Sequence, residues 1–282
     1  MGLGPTLPPR QRRTAEGRLI AMLPRRDLLE GARDPEALEA LIQQAEVVLR
    51  TYQPSWSAFL TGPQREEAEA RLAPLEELHL RSAGGFPQAE RRLLQISRSD
   101  QPGDADEPPP LALIEVSGNF LFDPADPTAI RAALIEQLSI DPLSLGDVLV
   151  RGDRGALVIS TAAIGESLLE QSLRVRSVDC RLQAGDWSRL PTQASSSKSL
   201  TSVEASLRLD AIASAGFGVS RSKMAAWIRQ GRIRVDWAVV TSPSRELQSG
   251  ERVQLEGRGE LVLDRADRTK RDRWRLQLTR RR

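Results

Sequence analysis

The stretch from Ser206 to Leu263 constrains the fold of this chain more than any other part of the sequence. Apolar residues recur at helical spacing in two short segments, and a Gly-Phe-Gly step separates them. Ser220 is a suitable N-cap for the second segment, and Gly231 stands where a left-handed residue commonly ends a helix. Short apolar runs follow. The pattern predicts two short helices, the first at residues 206–214, that lead into a compact β-ribbon.

The second predicted helix begins with cations. Arg221 and Lys223 lie in its first turn, where the helix dipole disfavours a positive charge by about 0.3–1 kcal/mol each. The free backbone N–H groups at a helix start favour anions. Cations at this position are therefore consistent with a phosphate held between the side chains and the backbone. A solvated cationic face is the alternative.

This stretch resembles the S4 RNA-binding domain. The matching residues are Arg208-Leu209-Asp210, Gly216, Ser220-Arg221-Ser222-Lys223, Ile228, Gly231-Arg232-Ile233-Arg234-Val235 and Gly250-Glu251-Arg252-Val253. The resemblance implies that the two-helix face and the ribbon bind structured RNA. One departure is Asp236-Trp237 in place of the family's Asn-Gly, a poorer type I′ turn that leaves the tightness of this hairpin open. The residues expected to bind RNA are Arg208, Ser220, Arg221, Ser222, Lys223, Arg229, Gln230, Arg232 and Arg234.

Charge is distributed unevenly along the chain. Residues 196–282 contain 19 Lys and Arg against 10 Asp and Glu, although the formal net charge of all 282 residues is only +2. A basic C-terminal third on an acidic body is typical of a nucleic-acid binder. A basic tail could equally dock on an acidic protein, and the resemblance to the S4 domain favours RNA.

The first hundred residues predict helices. The first dozen residues are rich in Pro, Gly and Arg and are predicted to be disordered. Asp34-Pro35 begins a helix with a strong apolar stripe, and Gly62-Pro63 opens a second. Pro87 is able to start a third helix, whose apolar positions lie at residues 93–96.

A glycine pair precedes the third predicted helix, in Ala83-Gly84-Gly85-Phe86 followed by Ala89-Glu90-Arg91-Arg92. A tight turn between helices is one interpretation; a phosphate loop is the other, but no Gly-Lys-Ser/Thr follows. The segment is similar to the hallmark of bacterial YlmH-like S4 proteins, in particular the cyanobacterial and plastid branch called photosystem II S4 domain protein. That resemblance implies an N-terminal helical domain, a central RRM-like domain and a C-terminal S4 domain. It also implies action at the ribosome, in rescue of stalled large subunits carrying peptidyl-tRNA, and a link to photosystem assembly.

The central part of the chain predicts strand, helix, strand, strand, helix, strand, the order of the ferredoxin-like (RRM-like) arrangement. Its second helix is assigned the apolar residues from Ile164 to Leu173. Phe120 and Phe122 are the aromatic candidates for base stacking on the sheet, and we expect them in the core or a loop instead. The predicted fold is a multidomain α+β chain. Its predicted segments are a helical domain at 1–98, an acidic Pro-rich linker at 99–110, the ferredoxin-like domain at 111–187, a Ser-rich linker at 188–201 and the S4 domain at 202–282.

Few residues are candidates for catalysis. His79 is the only histidine and Cys180 the only cysteine, which excludes an intrachain disulfide and a cysteine-based zinc site. Arg208-Leu209-Asp210 resembles the catalytic Arg-Leu-Asp of pseudouridine synthases, some of which carry S4 domains, but the polar run that follows it there is missing. We expect no enzymatic activity, no cofactor and no metal, with an S4-containing RNA-modifying enzyme as an alternative.

We predict a cytoplasmic, monomeric RNA-binding protein whose partners are structured rRNA or tRNA and the large ribosomal subunit. No apolar run approaches the length of a membrane span, and the start of the chain has no apolar signal segment. The second hypothesis is an assembly adaptor for photosystem II or another membrane complex. In that case the basic third would dock on an acidic partner or an anionic lipid.

Overall fold

The computed structural model describes residues 23–103, 107–124, 126–192, 197–255 and 258–281. The initial segment that is predicted to be disordered lies outside these residues, as do parts of both predicted linkers. The described chain is mixed α/β and forms two compact units. The units are, first, the chain up to Ser57 with Gln64–Ser82 and Leu94–Glu107, and second, Ala58–Pro63, Ala83–Leu93 and Pro108–Arg282.

Among the described residues, the N-terminal part of the chain contains three helices and a three-stranded sheet. Its elements are α1 (Arg25–Leu29), α2 (Pro35–Thr51), β1 (Ser55–Trp56), α3 (Gly62–Leu72), β2 (Leu78–Ala83) and β3 (Leu93–Arg98). The Asp34 carboxylate caps α2 by accepting a hydrogen bond from the backbone N–H of Ala37 at 3.1 Å. The predicted apolar stripe of α2 is buried. The sheet order is β1-β3-β2, which adds a sheet to a region predicted to be helical.

Residues 93–96 form a strand, so the prediction of a third helix is wrong. All four side chains are buried on the central strand of the sheet, and an apolar run this short cannot distinguish strand from helix. The glycine pair before it makes the turn between β2 and β3. A Cβ on Gly84 would stand 2.5 Å from that of Ala89, and Gly85 has a φ of +85°. Both glycines are therefore required by the backbone of a turn that joins two strands rather than two helices.

The central part of the chain forms a five-stranded sheet in the second unit. Its elements are β4 (Leu111–Ser117), α4 (Pro127–Leu138), β5 (Leu145–Val150), β6 (Gly155–Thr161), α5 (Ala162–Leu168), β7 (Ser172–Val175) and β8 (Val178–Ala184). The sheet order is β5-β6-β4-β8-β7, and β7 is an additional edge strand. The assignment of Leu173 to a helix is wrong, because it lies in β7 opposite Cys180. One face of the sheet and both helices enclose a core that includes Ile114, Ile130 and Leu168.

The basic third of the chain forms a six-stranded sheet with two helices. Its elements are β9 (Ser197–Glu204), α6 (Leu209–Phe217), α7 (Arg221–Arg229), β10 (Ile233–Val235), β11 (Ala238–Val239), β12 (Arg252–Leu255), β13 (Gly259–Arg268) and β14 (Trp274–Arg281). The sheet order is β11-β10-β12-β13-β14-β9. The first helix begins at Leu209, later than predicted. The end of the predicted Ser-rich linker is instead strand β9, which pairs with β14.

Asp236 and Trp237 form a tight two-residue turn between β10 and β11. Their φ values of +46° and +71° have the sign that a type I′ turn requires. Val235 and Ala238 are paired directly across it. The Asp236 carboxylate accepts a hydrogen bond from the backbone N–H of Arg252 at 3.1 Å, which helps to hold a conformation that non-glycine residues rarely adopt. The departure from Asn-Gly therefore leaves the hairpin tight.

Candidate nucleic-acid interface

Helix α7 begins and ends as the sequence predicts. The Ser220 hydroxyl accepts a hydrogen bond from the backbone N–H of Lys223 at 3.4 Å, and Gly231, just past the helix end, has a φ of +70°. Met224 and Ile228 are fully buried in the core of this domain. Because these two positions fix the inward side of the helix, Ser220, Ser222 and Lys223 lie exposed at its start.

Two of the predicted RNA-binding arginines share one carboxylate. Arg208 donates two hydrogen bonds to Asp210, from Nε at 3.1 Å and from an Nη at 2.9 Å, and Arg221 donates one at 3.0 Å. The Arg208 and Arg221 side chains are 37% and 54% exposed, whereas that of Asp210 is 7% exposed. We call these three residues the Asp210 cluster. Arg221 is therefore hydrogen-bonded within the protein. It does not offer an unpaired charge at the start of α7, where the sequence predicts a phosphate contact.

The Asp210 carboxylate is stabilised in its charged form. Burial alone raises the pKa of an aspartate, but the hydrogen bonds from Arg208 and Arg221 and their charges outweigh burial here, so the pKa of Asp210 is lowered. Two guanidinium groups on one carboxylate leave one net positive charge. The cluster can therefore still attract a phosphate, with less charge than two unpaired arginines would supply.

A second group of cations surrounds Trp227. The Lys223 Nζ lies 5.1 Å from the centroid of the Trp227 ring, the Arg232 Cζ 5.1 Å and the Arg258 Cζ 5.3 Å. All three cations are exposed, and Trp227 itself is half-buried against the core. We call these four residues the Trp227 cluster. None of the three cations pairs with a carboxylate among the residues that the structure describes.

The remaining predicted residues divide into free and paired ones. Arg229 and Gln230 are exposed at the end of α7, and within the described ranges Arg229 has no acidic partner. Arg234 lies on β10 and pairs with Glu90 at 2.8 Å. Glu90 is held in place because its backbone N–H donates to the Asp147 carboxylate at 2.7 Å. The structure thus brings Lys223 and Arg232 together beside Trp227 and joins Arg208 to Arg221 through Asp210. Arg234 belongs to neither cluster and pairs with Glu90.

The face of the central sheet that points away from the helices is covered over β4 and β6. Leu113, Leu157 and Ile159 point away from the helices and are nevertheless buried. The Phe59 ring fills the space beside Gly146, where a Cβ would stand 2.7 Å from it. A Cβ on Gly85 would stand 2.9 Å from the Ile159 side chain. Over β4 and β6 this face is therefore not open for a base to stack on it.

The two aromatic candidates of the central domain lie off the sheet, as expected. Phe120 is 1% exposed and belongs to the core shared with the helices. Phe122 is 91% exposed in the segment between β4 and α4. Neither side chain stands on the sheet surface that an RRM uses for bases.

Sequence reasoning missed two members of the Trp227 cluster. The helical spacing of Trp227 with Met224 and Ile228 indicates a core position, and only part of this residue is buried. Arg258 was not singled out, although it stands between Gly257 and Gly259 in a pattern typical of a turn. The position of a cation in a glycine-flanked turn was the available sequence signal for a binding residue. The contact with Trp227 could not be predicted, because the two residues are 31 positions apart in the sequence.

The described part of the chain contains neither a candidate membrane-spanning helix nor a candidate metal site. None of its helices combines the length and the apolar character that crossing a bilayer requires. Within the same residues, no three His, Cys, Asp or Glu side chains are grouped so that they could hold a metal ion.

Comparisons with known proteins match two segments of the chain. Residues 207–253 match the S4 domain, and residues 33–101 match the N-terminal domain of YlmH. The Ribosome-associated protein quality control protein P2 of Bacillus subtilis (strain 168) is 23% identical over 245 residues, which cover 86% of this chain and 93% of that protein. The solved structure of the cell division protein ylmH from Streptococcus pneumoniae is 20% identical, with a TM-score of 0.44, and the match covers 55% of this chain and 92% of that one. The chain therefore contains an S4 domain and a YlmH N-terminal domain, and its homologues are YlmH-like proteins.

Proposed function

We propose that this protein is a non-catalytic RNA-binding protein that acts on structured rRNA or tRNA at the ribosome. The observation that carries the proposal is a group of exposed cations on the S4 domain, none with a carboxylate partner among the described residues. They are Lys223, Arg229, Arg232 and Arg258. The Asp210 cluster adds one net positive charge. Five unneutralised charges on one domain form the electrostatic footprint of a phosphate-binding surface.

The match to the S4 domain favours RNA over other anions. The name of the Bacillus subtilis relative, a ribosome-associated quality control protein, favours the ribosome as the place of action. We extend the proposal to the rescue of stalled large subunits that carry peptidyl-tRNA. The cover over β4 and β6 of the central sheet supports placing the RNA contacts on the S4 domain.

The absence of catalysis is part of the proposal. Asp210, which lies in the motif that resembles the catalytic Arg-Leu-Asp of the synthases, is buried and accepts hydrogen bonds from two arginines. Burial raises the pKa of the Cys180 thiol, which disfavours the reactive thiolate. His79 lies on strand β2, and its ring Nδ1 is 3.4 Å from the Ser97 hydroxyl. None of these groups is arranged for nucleophilic or acid–base chemistry on RNA.

We further propose that the protein is a cytoplasmic monomer of the cyanobacterial and plastid branch of YlmH-like proteins. This finer assignment rests on the hallmark segment at residues 83–92. The name photosystem II S4 domain protein suggests a different role, that of an adaptor for assembly of a membrane complex. The sedimentation experiment below distinguishes that role from RNA binding at the ribosome.

Two measurements test the proposal. Filter binding of a tRNA transcript at graded salt should give a log–log slope of about −3.5 to −4.5 if five phosphates are engaged, and a flat response would reject RNA binding. Sedimentation with ribosomes and with thylakoid membranes, also at graded salt, separates the two roles. We expect the protein in the ribosomal pellet; recovery with membranes alone would support the adaptor.

A further inference from the structure

Three cations from three separate elements converge on one indole. Lys223 belongs to the first turn of α7, Arg232 follows the end of that helix, and Arg258 lies in the turn before β13. Each lies 5.1–5.3 Å from the centroid of the Trp227 ring. The separation between any two of these cations therefore cannot exceed the sum of their two distances to the ring centroid. That upper limit is close to the Debye length of ~10 Å at 0.1 M salt. Their mutual repulsion is only partly screened.

The indole orients these charges and does not neutralise them. A cation–π contact attracts each cation to the ring face and leaves its full charge in place. A useful comparison within the same domain is Arg268, whose Cζ lies 5.4 Å from the Trp274 ring and which pairs with Asp272 at 3.0 Å. The Trp274 site has its own carboxylate. No acidic side chain in the described ranges serves the Trp227 cluster in that way.

We infer that the Trp227 cluster is a phosphate-binding site for the RNA backbone, and that Arg258 is part of it. This inference rests on the proposed function and adds to it a specific site. Nothing in the family match points to Arg258, because the S4 match covers residues 207–253. Guanidinium groups bind phosphate oxygens with paired N–H donors, and Arg232 and Arg258 supply two such groups beside the same ring.

The packing of Trp227 against the core places its ring before any ligand binds. Its ring packs beside the core that contains Met224 and Ile228, so the platform for the three cations does not need to form on binding. The site also adjoins the start of α7, where Ser220 caps the helix and Lys223 contributes its backbone N–H to the cap. A backbone phosphate placed here would meet three positive charges and would have no carboxylate of the described residues to displace.

The test compares Arg258→Gln with Arg268→Gln. Each variant removes one exposed arginine from beside a tryptophan, and only Arg268 has a carboxylate partner, Asp272. The probe is a tRNA transcript, measured by filter binding across a salt series, with thermal unfolding of each variant as a check of the fold. For Arg258→Gln we expect the salt slope to become shallower by about 0.7–0.9 and the affinity near 0.1 M salt to fall roughly five- to eightfold. For Arg268→Gln we expect wild-type behaviour within about twofold.

The outcomes separate this inference from the proposed function. If wild-type protein binds the transcript and Arg258→Gln behaves like Arg268→Gln, the site is overturned while RNA binding stands. If wild-type protein does not bind the transcript, the proposed function and the site both fail. Polyglutamate serves as a probe for an acidic polypeptide partner. If a variant loses polyglutamate binding but keeps RNA binding, the cluster binds a protein partner and the inference is overturned. Arg232→Gln, also exposed, should reproduce the effect of Arg258→Gln if the cluster acts as one site.

Discussion

The Asp210 cluster and the Trp227 cluster lie on the same S4 domain and hold their cations in opposite ways. In the first, a buried carboxylate binds two guanidinium groups, so one of the two positive charges is neutralised inside the protein. In the second, an aromatic ring holds three cations that have no carboxylate within the described residues. Ion pairing neutralises charge and stabilises the fold, whereas cation–π packing orders side chains and leaves their charge for a ligand.

This difference predicts a division of roles. The Asp210 cluster should matter mainly for the stability of the helix pair, because Asp210 joins the start of α6 to the start of α7. The Trp227 cluster should matter mainly for RNA affinity. Charge reversal at Arg221 is not a clean test of RNA binding, because a glutamate there would stand beside the Asp210 carboxylate and would disturb the fold as well.

The largest effect is expected from reversing the charge of the Trp227 cluster. Lys223→Glu combined with Arg232→Glu should weaken binding of a tRNA transcript by roughly 50-fold or more near 0.1 M salt, because two phosphate contacts are lost and repulsion is added. Both residues are exposed, so the thermal unfolding midpoint should change little. The matched control is Arg265→Glu with Arg268→Glu, which makes the same charge change at two cations paired with Asp267 and Asp272. An equal loss in both doubles would show that only overall charge matters.

The next effect concerns the stability of the Asp210 cluster. Asp210→Asn removes a buried anion that accepts three charged hydrogen bonds, and we expect the free energy of unfolding to fall by about 1–3 kcal/mol. Urea denaturation of wild type and variant at neutral pH measures it. Asp264→Asn, an exposed aspartate of β13, is the control and should change stability by less than about 0.5 kcal/mol. Equal stability of the Asp210 variant and wild type would mean that the cluster does not support the fold.

The same cluster predicts a pH dependence of defined sign. The pKa of Asp210 is lowered in the folded protein, so its contribution is fully present above the ordinary aspartate pKa of 3.8 and is lost as the pH falls through the lower folded value. The stability difference between wild type and Asp210→Asn should therefore be constant from about pH 7 to pH 5 and shrink below about pH 4. Urea midpoints across that range measure it. A difference that grew on acidification would have the wrong sign for this account.

The smallest effect is expected at the ion pair between Arg234 and Glu90. Both side chains are nearly half exposed, so the pair should contribute no more than about 1 kcal/mol. Glu90→Gln would free Arg234 and should raise RNA affinity by at most about fivefold. Filter binding measures this, with Glu260→Gln, which frees Arg281 in the same way, as the control. A loss of affinity would indicate that the pair holds the hairpin in its binding position.

Local features of this fold were predictable from the sequence, and long-range pairings were not. Asp34 and Ser220 were identified as helix caps because capping depends on residues three positions away. Residues 93–96 were assigned to a helix because a short apolar run carries no periodicity that separates helix from strand. Strand β9 was missed because a polar edge strand resembles a linker until its partner β14 is known.

The same reasoning applies to the candidate site. The sequence identified the cations but could not say which of them were paired. Arg221 meets Asp210 across 11 positions of the chain, and Arg234 meets Glu90 across 144. Such pairs follow from tertiary packing, so residue types and spacing cannot reveal them. The distinction between paired and unpaired cations, on which the account depends, is available only from the structure.

The most direct test of the account is to locate the RNA on the protein. Ultraviolet cross-linking of the full chain to its RNA in cells, with mass spectrometry of the cross-linked peptides, reports the contacted residues without any substitution. We predict cross-links within residues 221–235 and around Arg258, close to Trp227. Cross-links confined to the central sheet or to the N-terminal unit would contradict the claim that the unpaired cations of the S4 domain bind the RNA backbone.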